Sequence, residues 1–252
     1  ERIKKLSSVP VLAIIQVGGR EDSNAFIKAK KSLANKIGAK EIHIQFEENV
    51  RKEEILKTIE QFNTDKTVNG IIVQLPLPNH LNQDEIINTI NPNKDVDGLV
   101  LCTTFTPATA RGISQLLSFY NIQLKDMKVT VMGRSKLVGT PIANMCRKNG
   151  AQVTVCHSGT EDIPDKAKNA DILIVAIGKP NHVNENFVSK NQIIIDVGIT
   201  RVGEKLVGDV DFESTVQDFE CIGVDRRVGL PPKLHCDSEG RFDLQVKAGL
   251  GL

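Results

Sequence analysis

The chain has 252 residues, 40% of them hydrophobic and 25% charged, with a formal net charge of +1 at pH 7. That length supports a sizeable core and favours two domains over one. The near-zero charge excludes a global field that would draw in nucleic acid or a membrane surface, and so points to a small-molecule partner.

In chain order, short β-branched runs alternate with longer amphipathic segments. Strands are expected at Val11 to Val17, Glu41 to Phe46 and Gly70 to Leu75, with helices from about Ser23 to Ile37 and Lys52 to Asn63 between them. A second series has strands at Lys128 to Met132, Gln152 to Cys156, Ile172 to Ile177 and Ile193 to Val197, with helices near Val138 to Lys148 and Glu161 to Asn169. Runs such as Ile-Leu-Ile-Val-Ala are apolar on both faces, as strands buried in a parallel sheet must be. The fold expected is therefore two α/β domains, the second a Rossmann-like doubly wound parallel sheet. The boundaries expected are 1–115, with part of the C-terminal tail joining this first domain, 116–225, and a divergent tail at 226–252, with the two domains joined near the segment Phe105 to Tyr120.

Five cysteines, Cys102, Cys146, Cys156, Cys221 and Cys236, form no Cys-x-x-Cys pair. Neither a disulfide framework nor a zinc site is indicated, and a reducing compartment fits best. No run is long and apolar enough to span a bilayer, and the opening Glu-Arg-Ile-Lys-Lys does not read as a signal peptide. A cytoplasmic location is expected, or a mitochondrial one if a targeting segment has been removed.

The second series carries a nucleotide signal. Strand Val129-Thr130-Val131-Met132 runs directly into Gly133, and a helix begins near Val138-Gly139-Thr140-Pro141. A turn of this kind is either plain connection or a place where N–H groups at the helix start receive a phosphate. Its spacing is not Gly-x-Gly-x-x-Gly. Arg134 and Ser135 occupy the turn, and Cys156-His157-Ser158 ends the next strand, where a Rossmann protein usually places its ribose-reading acid. A hydroxyl there in place of a carboxylate tolerates a 2′-phosphate, so NADP is favoured over NAD. His157 reads either as packing at a strand end or as a proton-transfer group.

In the first series, Phe26 and Lys30 are four apart on a helix and share a face. Lys28, Lys30 and Lys31 form either a solvated cationic face or, in part, one wall of a cleft. Gln74 lies at the carboxyl end of a buried strand, where open α/β sheets bind ligands, and its amide is suited to orient a lysine amine. Asp97, in a Val-Asp-Gly turn, either caps that turn or accepts hydrogen bonds from a ring N–H and an amino group.

The blocks Val73-Gln74-Leu75-Pro76-Leu77-Pro78, Lys94-Asp95-Val96-Asp97-Gly98, Gly133-Arg134-Ser135-Lys136-Leu137-Val138-Gly139-Thr140-Pro141, Cys156-His157-Ser158 and Asp196-Val197-Gly198-Ile199 together resemble the methylenetetrahydrofolate dehydrogenase/cyclohydrolase family. The resemblance runs from Val9 to about Ile222. It implies two α/β domains flanking a folate cleft, usually in a homodimer. It also implies oxidation of 5,10-methylenetetrahydrofolate with NADP and hydrolysis of the methenyl product to 10-formyltetrahydrofolate, within one-carbon metabolism and purine biosynthesis. By the same resemblance Lys30 is the cyclohydrolase catalytic residue, Gln74 its partner and Asp97 the pterin-binding acid. Phe26, Val73 and Leu75 then line the substrate site, and Gly133, Arg134, Ser135, Ser158 and Ile199 hold the cofactor.

The chain departs from that family in particular places. Phe26 stands where the family usually has tyrosine, so the ring remains and the hydroxyl is gone. The loop between Gly98 and Phe105 is shorter than usual, and Pro107-Ala108-Thr109-Ala110 replaces a Pro-Cys-Thr-Pro block. Val224-Asp225-Arg226-Arg227-Val228-Gly229-Leu230-Pro231-Pro232 stands where a glycine-rich loop usually closes the site. Three alternatives therefore stand beside the bifunctional enzyme: a dehydrogenase without cyclohydrolase activity, a catalytically impaired folate- or nucleotide-binding relative, and another Rossmann oxidoreductase.

Overall fold

A computed structural model describes residues 8–100, 103–203 and 205–215, together with the backbone of three later strands at 221–224, 233–236 and 242–246. The chain divides into two compact units, 1–107 and 108–251 apart from the final residue.

In the first unit, β1 (Val11–Val17), α1 (Glu21–Ile37), β2 (Lys40–Phe46), α2 (Lys52–Thr64), β3 (Gly70–Val73) and α3 (Gln83–Ile87) follow one another. The strands form a parallel sheet of order β2-β1-β3, with Val17 opposite Phe46 and Ile15 opposite Val73. Because side chains alternate across a strand, each strand serves two faces. Ala13, Ile15, Val17, Ile71 and Val73 pack with Ile55 and Ile59 of α2 and Ile86 of α3 in one core. Ile14, Gln16, Ile72 and Gln74 have the opposite parity, on the side that α1 covers.

The second unit contains α4 (Ala108–Phe119), β4 (Lys128–Met132), α5 (Gly139–Lys148), β5 (Gln152–Cys156), α6 (Ile163–Lys168), β6 (Ile172–Val175), β7 (Ile193–Asp196), the hairpin β8 (Thr200–Val202) and β9 (Lys205–Val207), and α7 (Phe212–Thr215). Beyond it lie β10 (Cys221–Val224), β11 (Lys233–Cys236) and β12 (Phe242–Val246). The sheet order is β11-β12-β10-β7-β6-β4-β5, parallel except where β11 meets β12. Val129, Val131, Ile172, Ile174 and Ile195 face a core shared with α4 and α5. Met132, Leu173, Val175 and Ile194 face the other side, with Ala167 of α6 and Val183, Val188 and Val210. Helices thus cover both faces, as the all-apolar strand sequences require.

The segment expected to join the domains is largely α4. Its buried Ala110, Ile113, Leu116 and Leu117 fall on one helical stripe, and a boundary after residue 115 would cut this helix. Within the tail expected at 226–252, and expected in part to join the first domain, residues 233–236 and 242–246 are instead strands of the second sheet, because β12 pairs with β10. Arg226 and Arg227, with the rest of the divergent segment 225–232, lie outside the described residues. No helix among the described residues is long and apolar enough to cross a membrane.

Candidate active site

Helix α1 presents Lys30 to the sheet, and the side chain is only 7% exposed. Its Nζ donates to Gln74 Oε1 at 3.0 Å. Gln74 directly follows β3, and its backbone N–H donates to the Ile15 carbonyl, which keeps it in register with β1. The amide orientation is set by its other end, since Nε2 donates to the Leu75 carbonyl at 2.9 Å and leaves Oε1 for the amine. Burial lowers the Lys30 pKa from its ordinary 10.5, and the charge of Asp97 works against that shift. In turn burial raises Asp97 above the usual carboxylate value, Lys30 lowers it, and Asp95 raises it further.

Asp97 is held by a turn that Asp95 builds. The buried Asp95 carboxylate accepts from the N–H groups of Gly98 (3.0 Å) and Val100 (2.8 Å), while its backbone bridges to Ile71 of β3. Gly98 has φ +73°, and a Cβ there would meet the Phe105 carbonyl and the Pro107 nitrogen at 2.8 Å. The turn therefore ties the Asp97 segment to the same strand that carries Gln74.

A second polar chain seats α1. Gln16, 1% exposed on β1, donates from Nε2 to Asn24 Oδ1 at 2.7 Å, and its Oε1 lies 2.9 Å from His43 Nε2. Burial, assisted by the Lys31 cation and opposed by the Glu41 charge, lowers the His43 pKa, and an Nε2–H on this ring donates to that oxygen.

Among the expected site residues of this unit, Lys30, Gln74 and Asp97 come together. Phe26 lies one turn before Lys30 on α1 and is partly buried. Leu75 contributes its carbonyl to orienting Gln74. Val73 does not join the group by its side chain, which packs in the core on the opposite sheet face. A groove of about 1160 Å³ opens at the carboxyl edge of this sheet, lined by segments 17–20, 47–49 and 76–80, and includes none of Lys30, Gln74 and Asp97. The sequence reading missed Asp95, Gln16 and His43. For Gln16 the signal was a polar residue inside the apolar run Val11 to Val17, which demands a partner without naming it; Asp95 and His43 lie in polar or alternating segments that carry no such signal.

In the second unit the chain turns back at β4. Strand β5 lies on one side of it and β6 on the other, so the loop after β4 sits at the topological switch point, where such sheets bind ligands. Gly133 there has φ +117°, and a Cβ would lie 2.2 Å from the Ala176 carbonyl oxygen. A Cβ on Gly139 would lie 2.2 Å from the Gly133 carbonyl oxygen. The loop thus folds onto itself, and Ser135 Oγ accepts from the N–H groups of Val138 (3.2 Å) and Gly139 (3.3 Å). The Thr140 N–H is taken by the Ser135 carbonyl.

Of the two readings of this turn, the internal bonds bear on the phosphate one, because the N–H groups of Val138, Gly139 and Thr140 are taken within the loop. Arg134 and Ser135 in this loop and Ser158 after β5 are exposed. Register brings these loops side by side, because Met132 and Cys156 are the last paired residues of β4 and β5. His157 braces its own turn, its Nδ1 accepting from the Gly159 N–H at 3.1 Å. Neither His157 nor Ser158 is a carboxylate, so the end of β5 presents no negative side chain at these two positions. Ile199 follows β7 at the same sheet edge and is partly buried.

A glycine loop at the switch point of a doubly wound sheet, with a buried lysine–glutamine pair in a separate α/β unit, defines a dinucleotide-dependent two-unit α/β enzyme. A model of the tetrahydrofolate dehydrogenase/cyclohydrolase catalytic domain matches residues 1–97, and one of the NAD(P)-binding domain of the same family matches 107–229. The chain belongs to the tetrahydrofolate dehydrogenase/cyclohydrolase family. It is 44% identical over 224 residues to the bifunctional protein FolD of Agathobacter rectalis, covering 85% of this chain and 80% of that protein. The crystal structure of the bifunctional FolD methylenetetrahydrofolate dehydrogenase/cyclohydrolase from Campylobacter jejuni superposes with a TM-score of 0.84 at 36% identity, covering 88% of this chain and 83% of that one. The Trypanosoma brucei enzyme complexed with NADP cofactor and inhibitor superposes with a TM-score of 0.78 at 29% identity, covering 85% and 79%.

Proposed function

We propose that the chain oxidises 5,10-methylenetetrahydrofolate to 5,10-methenyltetrahydrofolate with NADP and hydrolyses the methenyl form to 10-formyltetrahydrofolate. The observation that carries this reading is the buried hydrogen bond from Lys30 Nζ to Gln74 Oε1. An amine buried against a neutral amide is biased toward its uncharged form, which is the form that accepts a proton.

In the hydrolytic step, water adds to the methenyl carbon and neutral Lys30 takes a water proton as the C–O bond forms. The bond from that carbon to N5 then breaks, N5 takes the proton back from Lys30, and the hydroxyl proton leaves to solvent as the formyl C=O forms. Gln74 holds the amine in place, and Asp97 accepts hydrogen bonds from the pterin ring. Phe26 offers a face for stacking, and Leu75 orients Gln74. Val73 serves the substrate wall through its backbone.

The chemistry that NADP supplies when bound is hydride acceptance from the one-carbon unit. The chain's part in that step is to position the reactants. Arg134, Ser135 and Ser158 would hold the phosphates, Gly133 would allow close approach of the backbone, and Ile199 would serve the nicotinamide side. The rest of the reading follows the family: a homodimer, acting in the cytoplasm, whose product supplies purine biosynthesis. The buried free thiols of Cys146 and Cys156 are consistent with a reducing compartment.

The test is to incubate the chain with 5,10-methylenetetrahydrofolate and NADP or NAD, following reduced nicotinamide, methenyl and 10-formyl products together. NADPH with 10-formyl product above the non-enzymatic rate is the expected result. Methenyl accumulation would leave a dehydrogenase alone, the reading that the missing Phe26 hydroxyl favours, and no turnover would leave a binding relative. Lys30→Met is expected to lower hydrolysis by about 10²–10⁴-fold while NADPH formation persists.

A further inference from the structure

The mechanism above leaves two buried acids of the second unit unused. Asp196 ends β7 and is 3% exposed, and Asp209, just after β9, is 0% exposed. The Asp196 carboxylate accepts from the N–H groups of Gly198 (3.0 Å) and Asp209 (3.1 Å) through Oδ1, and from that of Val210 (3.0 Å) through Oδ2. Asp209 Oδ2 accepts from the N–H groups of Ile177 (2.7 Å) and Gly178 (2.8 Å), while its buried Oδ1 has no hydrogen-bond partner.

Two glycines allow the acids to approach. A Cβ on Gly198 would lie 2.0 Å from Asp209 Cγ, and one on Gly208 would lie 2.0 Å from Asp196 Oδ2. Three segments, 177–178 after β6, 198 after β7 and 208–210 after the β8–β9 hairpin, are thereby clasped through carboxylates.

Two neighbouring acids are a costly way to join loops. Each loses water on burial, and like charges repel. Burial pushes Asp196 up to about 6, with the Asp209 charge adding to the rise. What such acids provide is a fixed set of acceptors for backbone N–H groups that no strand or helix satisfies. The place where they do so matters. Residues 177–178 follow directly on Ala176, whose carbonyl packs against Gly133 in the loop after β4. Residue 198 leads directly to Ile199. The clasp therefore backs onto the carboxyl edge of the sheet at its switch point.

We infer that Asp209 and Asp196 are positioning residues for the nicotinamide cofactor, fixing the walls that Ile177–Gly178 and Gly198–Ile199 present to it. The inference rests on reading this sheet edge as the NADP site. Asp209→Ala strips the acceptor from two N–H groups at once. It is expected to weaken NADPH binding, read from NADPH fluorescence, and to raise the KM for NADP by about tenfold or more. Methenyltetrahydrofolate hydrolysis, which uses Lys30 of the other unit, should stay within about twofold of the unaltered chain. Asp209→Asn keeps one acceptor oxygen and should recover most of the lost affinity.

If Asp209→Ala binds NADPH with unaltered affinity and KM, the positioning role is wrong. If the unaltered chain binds no NADPH at all, the cofactor reading fails instead. Should Asp209→Ala fail to fold, amide exchange on the unaltered chain decides. NADPH is expected to slow exchange in peptides spanning 176–178 and 197–199, and unchanged exchange there in the presence of bound NADPH overturns the inference.

Discussion

Lys30 is set by opposing influences of known direction. Burial lowers its pKa and the Asp97 charge raises it. Since the hydrolytic step needs the neutral amine, the rate should rise with pH through an inflection below the ordinary lysine value of 10.5. Asp97→Asn removes the opposing charge, so the inflection should move further down even though substrate binding also suffers. The check is the pH–rate profile of methenyl hydrolysis at saturating substrate, and an inflection that moves up in the variant contradicts the assigned coupling. The Phe26–Lys30 spacing was legible in the sequence because four residues make about one helical turn. Asp95 was not, because its task is to accept from N–H groups three and five positions ahead, and only the folded turn brings them to it.

At the scale of elements, the loop between β4 and α5 is governed by sterics. Gly133→Ala would place a methyl 2.2 Å from the Ala176 carbonyl oxygen at φ +117°, where a side chain is already strained. It is expected to cost about 1–3 kcal/mol and to abolish measurable NADPH binding, checked by thermal melts and NADPH fluorescence. Gly112 in α4 is the contrast, because a Cβ there would meet nothing within 4 Å. Gly112→Ala should stabilise the chain by about 0.5–1 kcal/mol, seen as a higher Tm with unchanged kinetics. Most helices and parallel strands were legible because periods of 3.6 and 2 reflect which face is buried. Helix α4 carries such a stripe and was still read as a joining segment. The β8–β9 hairpin is too short to leave a periodic signal, and its pairing of Thr200 with Val207 is a tertiary outcome.

For the molecule as a whole, the buried Asp196 makes stability depend on pH. Asp196 titrates at about 6 when folded, against 3.8 ordinarily. The raised value means that its favourable contribution is complete below about 3.8 and is lost as pH rises to about 6, a change on the order of 3 kcal/mol. The stability of the chain relative to Asp196→Asn should therefore decline between about pH 4.5 and pH 7, and a difference that does not change with pH would contradict the assignment. Denaturant unfolding of both proteins at the two pH values measures it.

The sequence by itself determined the alternation of strands and helices, the doubly wound class of the second unit, and the family, because hydrophobic period and contiguous motifs are local properties. Only the tertiary structure decided which polar residues meet. Gln74 faces Lys30 while neighbouring Val73 faces the core, because adjacent side chains on a strand point to opposite sides of the sheet. Ser135 accepts from the N–H groups of Val138 and Gly139 because the loop folds back between two glycines. Asp196 and Asp209 share one buried site because segments distant along the chain converge at the end of a sheet. Such convergence leaves no periodic trace in the chain, since burying a charge requires partners wherever the fold supplies them.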